Sequence, residues 1–179
     1  MRVIFLDRDG VINEACPPGL YVLSEDDFKF VGGSIEAIVK LKKKGYKIVV
    51  VTNQRSIFKG LLSEKKLEDI HKKMLKKIES SNGKIDKIYY CPHDKNSCNC
   101  RKPKTGMFEK AEKEFGKIDK ENSFMIGDDP NDILAGRNFG VKTIFIRNDI
   151  YSQENLEKKA DYKTNSLLEA ANLIISTSP

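Results

Sequence analysis

Short apolar segments alternate with helical patterns along most of the chain, and this alternation limits the possible fold more than any other feature of the sequence. Five segments are rich in β-branched residues and have the length of buried strands: 3–6, 47–51, 85–90, 123–126 and 141–146. Strands that alternate with helices connect through right-handed crossovers into a parallel sheet that is covered on both faces. The sequence therefore predicts an α/β fold with a doubly wound parallel sheet.

The helices between these strands are predicted from apolar periodicity and from residues that begin or end helices. Gly45 is typical of the end of the first helix. Further helices are predicted to begin near Ser63, Thr105 and Pro130, and a last helix is predicted over residues 165–175. With 179 residues and no repeat or long linker, the chain is expected to form a single domain over 1–179.

Carboxylates follow two of the predicted strands. Asp7 and Asp9 come directly after the first strand, and Asp128 follows the fourth. Because doubly wound sheets bind ligands beyond the carboxyl ends of their strands, these side chains are expected at one rim. Carboxylates held side by side repel each other unless a cation lies between them, and oxygen ligands beside a phosphate favour Mg²⁺. A solvated acidic turn is the alternative for Asp7 and Asp9 taken alone.

Polar and basic residues follow the remaining strands. Thr52, Asn53 and Gln54 offer a hydroxyl and two amides to a transferring phosphoryl group. Arg101 and Lys102 bring two cations that can neutralise phosphate oxygens. Each group alone is compatible with an ordinary surface, but their order at successive strand ends favours a site that handles phosphate.

Four segments, FLDRDGVIN, VVVTNQ, CRKPKTGM and MIGDDPNDI, resemble the ordered motifs of haloacid-dehalogenase-like phosphatases. The resemblance implies that Asp7 is the nucleophile, and that Asp9 acts first as general acid and then as general base. It implies that Thr52 and Lys102 hold the phosphoryl group. It also implies a catalytic Mg²⁺ bound by the Asp7 carboxylate, the Asp9 backbone carbonyl and Asp128. The expected reaction is hydrolysis of a small phosphorylated metabolite.

A second candidate metal site lies between the third strand and the third helix. It comprises four soft ligands within ten residues, a set suited to tetrahedral Zn²⁺: Cys91, His93, Cys98 and Cys100. Four protein ligands leave no open position, so this zinc is expected to be structural; scattered buried thiols are the alternative. Cys16 lies outside the set, and His71 is expected to be an ordinary helix-face histidine.

The zinc loop directly before Arg101 resembles one branch of the superfamily, which contains D-glycero-D-manno-heptose 1,7-bisphosphate 7-phosphatases and histidinol-phosphate phosphatases. Members lack a large cap domain. Gly106 and Met107 after the Arg-Lys-Pro segment favour the heptose enzymes, and Arg101 would serve the second phosphate of a bisphosphate. Arg55, expected to contact substrate together with Asn53, Gln54 and Arg101, departs from the Ser that is usual in the heptose enzymes. Asp129 replaces a frequent Lys, which would alter phosphate selectivity or bring a carboxylate to the metal.

Charge and hydropathy limit the partners and the compartment. The net charge of +6 is spread over Lys-rich helices, so a nucleic-acid partner is not expected. No window approaches the ~20 apolar residues of a membrane span, and no cleavage site follows the N-terminus, so the chain is expected to stay in the cytoplasm. It is also expected to be a monomer. A polynucleotide 3′-phosphatase and a zinc-stabilised module without activity remain alternatives. The absence of aromatic stacking platforms argues against the first, and the clustered acids against the second.

Overall fold

The computed structural model describes residues 1–17, 19–148 and 159–177, and a parallel sheet of six strands forms its centre. The strands are β1 (Val3–Leu6), β2 (Lys47–Asn53), β3 (Lys87–Cys91), β4 (Phe124–Gly127), β5 (Lys142–Ile146) and β6 (Tyr162–Thr164). They lie in the order β3-β2-β1-β4-β5-β6, and every neighbouring pair is parallel. The strand order reverses between β1 and β4, which is where doubly wound sheets bind ligands.

Helices cover both faces of this sheet. They are α1 (Ser34–Lys43), α2 (Arg55–Phe58), α3 (Glu64–Glu79), α4 (Gly106–Phe115), α5 (Pro130–Phe139) and α6 (Leu167–Thr177), with a 3₁₀ turn at Lys120–Asn122. Apolar residues of α1, α3 and α6 share one buried cluster, and those of α4 and α5 share another. The predicted fold class is confirmed, and the segments between elements form loops rather than a large cap in the described residues.

Alternation along the central strands explains why the core has two layers. Ile4 and Leu6 of β1 belong to the cluster under α1, α3 and α6, whereas Val3 and Phe5 face α4 and α5. All of these side chains are fully buried, because successive residues of a strand point to opposite faces and helices cover both. Each such side chain contributes about 1.5–3 kcal/mol when buried.

Some elements differ from the sequence predictions. The three-residue β6 and the four-residue α2 were not predicted, because neither is long enough to show a periodic pattern. Ser63 caps α3 as expected, since its hydroxyl accepts a hydrogen bond from the Lys66 amide at 3.2 Å. Thr105 precedes α4 but does not cap it; its hydroxyl instead donates to Glu109 at 2.6 Å. Of the helices that the structure describes, none has the length and apolarity to cross a membrane.

Helix α5 lies very close to the sheet, and Gly136 makes this approach possible. A Cβ at this position would lie 2.7 Å from the Cβ of Met125 and 2.8 Å from Cγ2 of Thr143. Both neighbours belong to strands, so neither can move away without disturbing the sheet. Because α5 begins at the candidate active site described below, Gly136 also fixes how that site meets the sheet.

We expect Gly136→Val to lower the free energy of unfolding by about 1–3 kcal/mol, because the added side chain overpacks the α5–sheet interface. Chemical denaturation measures this change. Asn138→Val is the matched control, since it places the same side chain on the exposed side of α5 and removes only a hydrogen bond to the Pro103 carbonyl. Equal stabilities of the two variants would contradict the prediction.

Candidate active site

The predicted catalytic residues converge at the carboxyl ends of three adjacent strands and one following loop. Asp7 follows β1, Asp128 follows β4, Thr52 lies near the end of β2, and Lys102 lies in the loop after β3. All four line one cavity of about 450 Å³. This volume is within the usual range for sites that bind small molecules. The structure therefore brings together residues that are far apart in sequence.

Lys102 makes two buried ion pairs at the floor of this cavity. Its Nζ lies 3.0 Å from Oδ1 of Asp7 and 2.6 Å from Oδ1 of Asp132. Burial raises the pKa of Asp7 above its ordinary value, while the Lys102 charge opposes this effect. Lys102 thus keeps a positive charge beside the candidate nucleophile.

Asp132 is a site residue that the sequence reasoning missed. Its Oδ1 pairs with Lys102, and its Oδ2 accepts a hydrogen bond from the Asp129 amide at 3.1 Å. Burial and the Asp7 charge raise the pKa of Asp132 well above its ordinary value. Its spacing was the available signal, because an acidic residue three positions after a helix N-cap, here Asp129, can accept a hydrogen bond from the N-cap amide.

Asp129 caps α5, although its position suggested a possible approach to the metal. Its Oδ1 accepts a hydrogen bond from the Asn131 amide at 2.7 Å. The side chains of Asp129 and Asp132 also each accept from the backbone N–H of the other residue, which forms a capping box. Asp129 lines the cavity as well, so its charge lies at the rim.

Three carboxylates in this cavity form a group suited to a divalent cation. One oxygen each from Asp7, Asp128 and Asp132 lies within 4.8 Å of the others. Burial, together with the charges of Asp7 and Asp129, raises the pKa of Asp128 to about 7. Oxygen ligands that repel each other in this way fit Mg²⁺, whose charge would remove the repulsion.

Gly10 permits the close approach of the β1 loop to Asp128. Its φ is +83°, and a Cβ there would lie 1.9 Å from Oδ2 of Asp128. Glycine alone combines this left-handed conformation with the space that the carboxylate needs.

The Asp9 side chain lines the same cavity but is not a member of the acidic group, and it lies in a network of donors. Arg8 Nη2 donates to Oδ1 at 2.8 Å and to Oδ2 at 3.0 Å, and Asn13 and Gln54 each donate one further hydrogen bond. Although burial favours the neutral form, the Arg8 charge and these hydrogen bonds lower the pKa of Asp9. This orientation is compatible with the expectation that only the Asp9 carbonyl, not its side chain, meets the metal.

Two predicted substrate-binding amides line the cavity but also hold their neighbours. Gln54 Nε2 bridges Oγ1 of Thr52 at 2.9 Å and Oδ2 of Asp9 at 3.0 Å. The Asn53 amide accepts from the Lys102 backbone N–H at 3.1 Å and donates to the Lys102 carbonyl at 3.3 Å. The end of β2 therefore fixes both Asp9 and Lys102.

The four predicted zinc ligands come together in the loop after β3. Sγ of Cys98 lies 3.5 Å from Sγ of Cys91 and 3.3 Å from Sγ of Cys100, and Nδ1 of His93 lies 3.3 Å from Sγ of Cys100. Thiolates around a tetrahedral zinc are separated by about 3.8 Å when each Zn–S bond is about 2.3 Å. The set therefore fits Zn²⁺ if the distances between the sulfur atoms increase slightly.

This loop leads directly to Arg101, which lines the cavity beside Lys102. The Arg101 amide donates to Sγ of Cys98 at 3.4 Å, and its Nη1 donates to the His93 carbonyl at 3.4 Å. Arg55 was predicted to contact substrate, but it lies outside the residues that line the cavity. Its Nε forms an ion pair with Asp94 at 2.6 Å, so it connects α2 to the loop.

His71 is buried and contacts a side chain of the site, whereas the sequence predicts an ordinary helix-face histidine. It is 7% exposed, and its Nε2 lies 3.2 Å from Nη1 of Arg8. Cys16 is half-buried and lines the cavity. No spacing in the sequence connects His71 to Arg8, because the contact depends on how α3 packs on the sheet.

This fold and this arrangement of acidic and basic side chains define a phosphatase of the haloacid-dehalogenase-like class. The model of the HAD-hydrolase-like family matches residues 99–170. The structure resembles that of D,D-heptose 1,7-bisphosphate phosphatase from B. bronchiseptica complexed with magnesium and phosphate. The TM-score is 0.91 at 28% identity, covering 99% of this chain and 100% of the other.

The chain belongs to the D-glycero-D-manno-heptose-1,7-bisphosphate 7-phosphatase family. It is 40% identical to the β-anomer enzyme of Haemophilus ducreyi over 177 residues, which cover 94% of this chain and 95% of that protein. It is also 40% identical to the α-anomer enzyme of Campylobacter jejuni over 148 residues, covering 83% of each chain. The resemblance found in the sequence motifs is confirmed.

We expect the affinity for Mg²⁺ to fall as the pH is lowered below 7. The pKa of Asp128 in the metal-free protein is raised to about 7, so at lower pH a proton competes with the metal for this carboxylate. The dissociation constant for Mg²⁺ should therefore rise about tenfold from pH 8 to pH 6, because the ionised fraction of Asp128 falls by about that factor. Titration calorimetry without substrate measures it. A constant affinity over this range would contradict the prediction.

Proposed function

We propose that the chain is a Mg²⁺-dependent phosphatase that removes the 7-phosphate of D-glycero-D-manno-heptose 1,7-bisphosphate through an aspartyl phosphate on Asp7. The observation that carries the proposal is the placement of Asp7, Lys102 and Arg101 around one cavity of about 450 Å³. The cavity offers a nucleophile with its cation and a second cation beside them. Relatives with this activity in their names support the choice of substrate.

In the first half-reaction an oxygen of Asp7 attacks phosphorus as the bond to the sugar oxygen breaks. Lys102, 3.0 Å from Asp7, and the buried Thr52 hydroxyl stabilise the phosphoryl oxygens. Asp9 gives a proton to the departing sugar oxygen. Although its pKa is lowered in the free enzyme, an entering phosphate brings negative charge that favours proton uptake by the carboxylate.

In the second half-reaction water attacks phosphorus and the bond to Asp7 breaks, which releases inorganic phosphate and restores the Asp7 carboxylate. The ionised Asp9 accepts the proton of this water. Gln54, which joins Asp9 to Thr52, keeps the base close to the phosphoryl group.

The residues that would hold Mg²⁺ are Asp7 and Asp128 through carboxylates and Asp9 through its backbone carbonyl. Asp132 stays with Lys102, because both of its oxygens already have partners. When bound, Mg²⁺ neutralises the acidic group and polarises the phosphate. Zn²⁺ in the loop of Cys91, His93, Cys98 and Cys100 would hold Arg101 in place.

We also propose that the enzyme acts as a monomer in the cytoplasm on a small phosphorylated metabolite. The proposed nucleophile, the acid and base Asp9 and both cations line one cavity of a single chain, so the proposed reaction needs no residue from a second subunit. The four cysteines are free, which suits a reducing compartment in which thiols can bind metal.

A substrate panel tests the proposal. The kinetic constants kcat and KM are measured, with and without Mg²⁺, for both anomers of the heptose bisphosphate, histidinol phosphate and a 3′-phosphorylated oligonucleotide. We expect the highest kcat/KM for a heptose bisphosphate, no activity without Mg²⁺, and no activity in Asp7→Asn, which controls for contaminating phosphatases. A higher kcat/KM for histidinol phosphate or the oligonucleotide would contradict the proposed substrate and favour that compound instead.

We expect Arg101→Ala to raise KM for the bisphosphate by about ten- to hundredfold, because a charge-assisted hydrogen bond to the second phosphate is lost. The same change should leave KM for a sugar monophosphate nearly unaltered, since that substrate has no second phosphate. The exposed Arg137 offers a control variant, Arg137→Ala, that removes one guanidinium far from the cavity. An equal loss for both substrates would assign Arg101 to the reacting phosphate.

We expect Cys100→Ser to lose bound zinc and to unfold at a lower temperature, because structural zinc contributes to the free energy of folding. Elemental analysis and thermal unfolding of protein purified without chelators measure both effects. Cys16→Ser should keep its zinc, since Cys16 lies outside the cluster. Wild-type protein without zinc would contradict the ligand set.

A further inference from the structure

Arg8 is a buried cation that the proposed reaction does not use. Its side chain is 1% exposed, and it lies between the two aspartates of the first motif. Its Nε and Nη2 both donate to the Asp9 carboxylate, at 3.2 Å and 2.8 Å from Oδ1. Because two nitrogens of a planar group contact the same carboxylate, the orientation of the guanidinium determines where that carboxylate lies.

The remaining terminal nitrogen of Arg8 contacts His71. Nη1 lies 3.2 Å from Nε2 of His71, and an arginine can only donate, so Nε2 accepts and the ring proton lies on Nδ1. His71 is neutral, since burial and the Arg8 charge lower its pKa to about 3. The imidazole thus gives Arg8 an acceptor without adding charge.

His71 is well placed to hold Arg8 still. It lies on α3 between Ile70 and Met74, both of which are buried in the core cluster. The Phe28 ring lies on another side of the guanidinium, with 6.0 Å between its centre and Cζ of Arg8. The contact with His71 therefore connects the rigid packing of α3 to a side chain of the active site.

We propose that His71 is a positioning residue for the reaction, which acts through Arg8 to hold the Asp9 carboxylate. The inference rests on the proposed role of Asp9 as acid and base. Without an acceptor at the position of Nε2, Arg8 can rotate and carry Asp9 away from the substrate oxygen. Small displacements of a catalytic group lower the rate strongly, because proton transfer needs hydrogen-bond geometry.

Two amide variants of His71 test the inference. The amide of Gln reaches the position of Nε2, whereas the shorter Asn reaches only that of Nδ1. For the heptose bisphosphate, whose reacting 7-phosphate is an alkyl phosphate, we expect His71→Gln to keep kcat/KM within about twofold of wild type. His71→Asn should lose about tenfold, the lower end of the effect of one charge-assisted hydrogen bond.

A comparison of two leaving groups distinguishes a positioning role of His71 from a general loss of structure. kcat/KM includes the steps up to departure of the leaving group, and p-nitrophenolate departs without a proton from Asp9. The loss in His71→Asn should therefore be much smaller for p-nitrophenyl phosphate than for the alkyl phosphate. Met74→Leu is the control, because it alters the buried face of α3 one turn away from His71. It should leave kcat/KM unchanged for both substrates.

The outcomes are distinct. If His71→Asn and His71→Gln have equal kcat/KM, or if the loss is the same for both leaving groups, the inference is wrong while the phosphatase activity stands. If wild-type protein does not hydrolyse the heptose bisphosphate, the proposed function itself fails. Thermal unfolding of each variant accompanies the assay, and the comparison of the two amides remains valid if both are equally destabilised.

Discussion

The rest of the site depends on the buried ammonium of Lys102 between two aspartates. Three carboxylates face one cavity, and their mutual repulsion would favour protonation of one or more of them if no cation lay among them. Although burial alone favours the neutral amine, Asp132 and Asp7 raise the pKa of Lys102 above its ordinary value, so the charge is retained. A buried ion pair of this kind gives little net stability, but loss of one partner leaves an uncompensated charge. The interaction thus positions the nucleophile rather than strengthening the fold.

Lys102 can do this only because its own backbone is fixed. The side chain of Asn53 at the end of β2 makes hydrogen bonds to both its N–H and its carbonyl. On the preceding side, the amide of Arg101 donates to Sγ of Cys98 in the loop of the candidate zinc ligands. The sheet and the loop therefore converge on one lysine, which gives the candidate zinc site a direct connection to the candidate active site.

Much of this arrangement follows from the sequence, because strands and their terminal residues are local features. The five longer strands and the polar residues at their ends have patterns that a single segment carries. Asp132 needed a further step, since only the helix that begins at Pro130 brings it back to Asp128. His71 and the pairing of Arg55 with Asp94 could not be predicted, because each joins side chains from separate elements whose packing no periodicity encodes.

The two candidate metal sites differ in how much of the chain must be made before they exist. The candidate zinc ligands lie within ten residues, Cys91 to Cys100, so this loop could close around an ion through contacts that are short in sequence. The acidic group needs Asp7 to meet Asp128 and Asp132 across the β1–β4 pair, which joins the beginning of the chain to its last third. During synthesis the first site can therefore form while Asp128 and Asp132, two of the three carboxylates of the second, have not yet been made. Contacts of long sequence separation are also the slow ones in folding. The acidic group is therefore expected to assemble only after β4 has been made and has paired with β1.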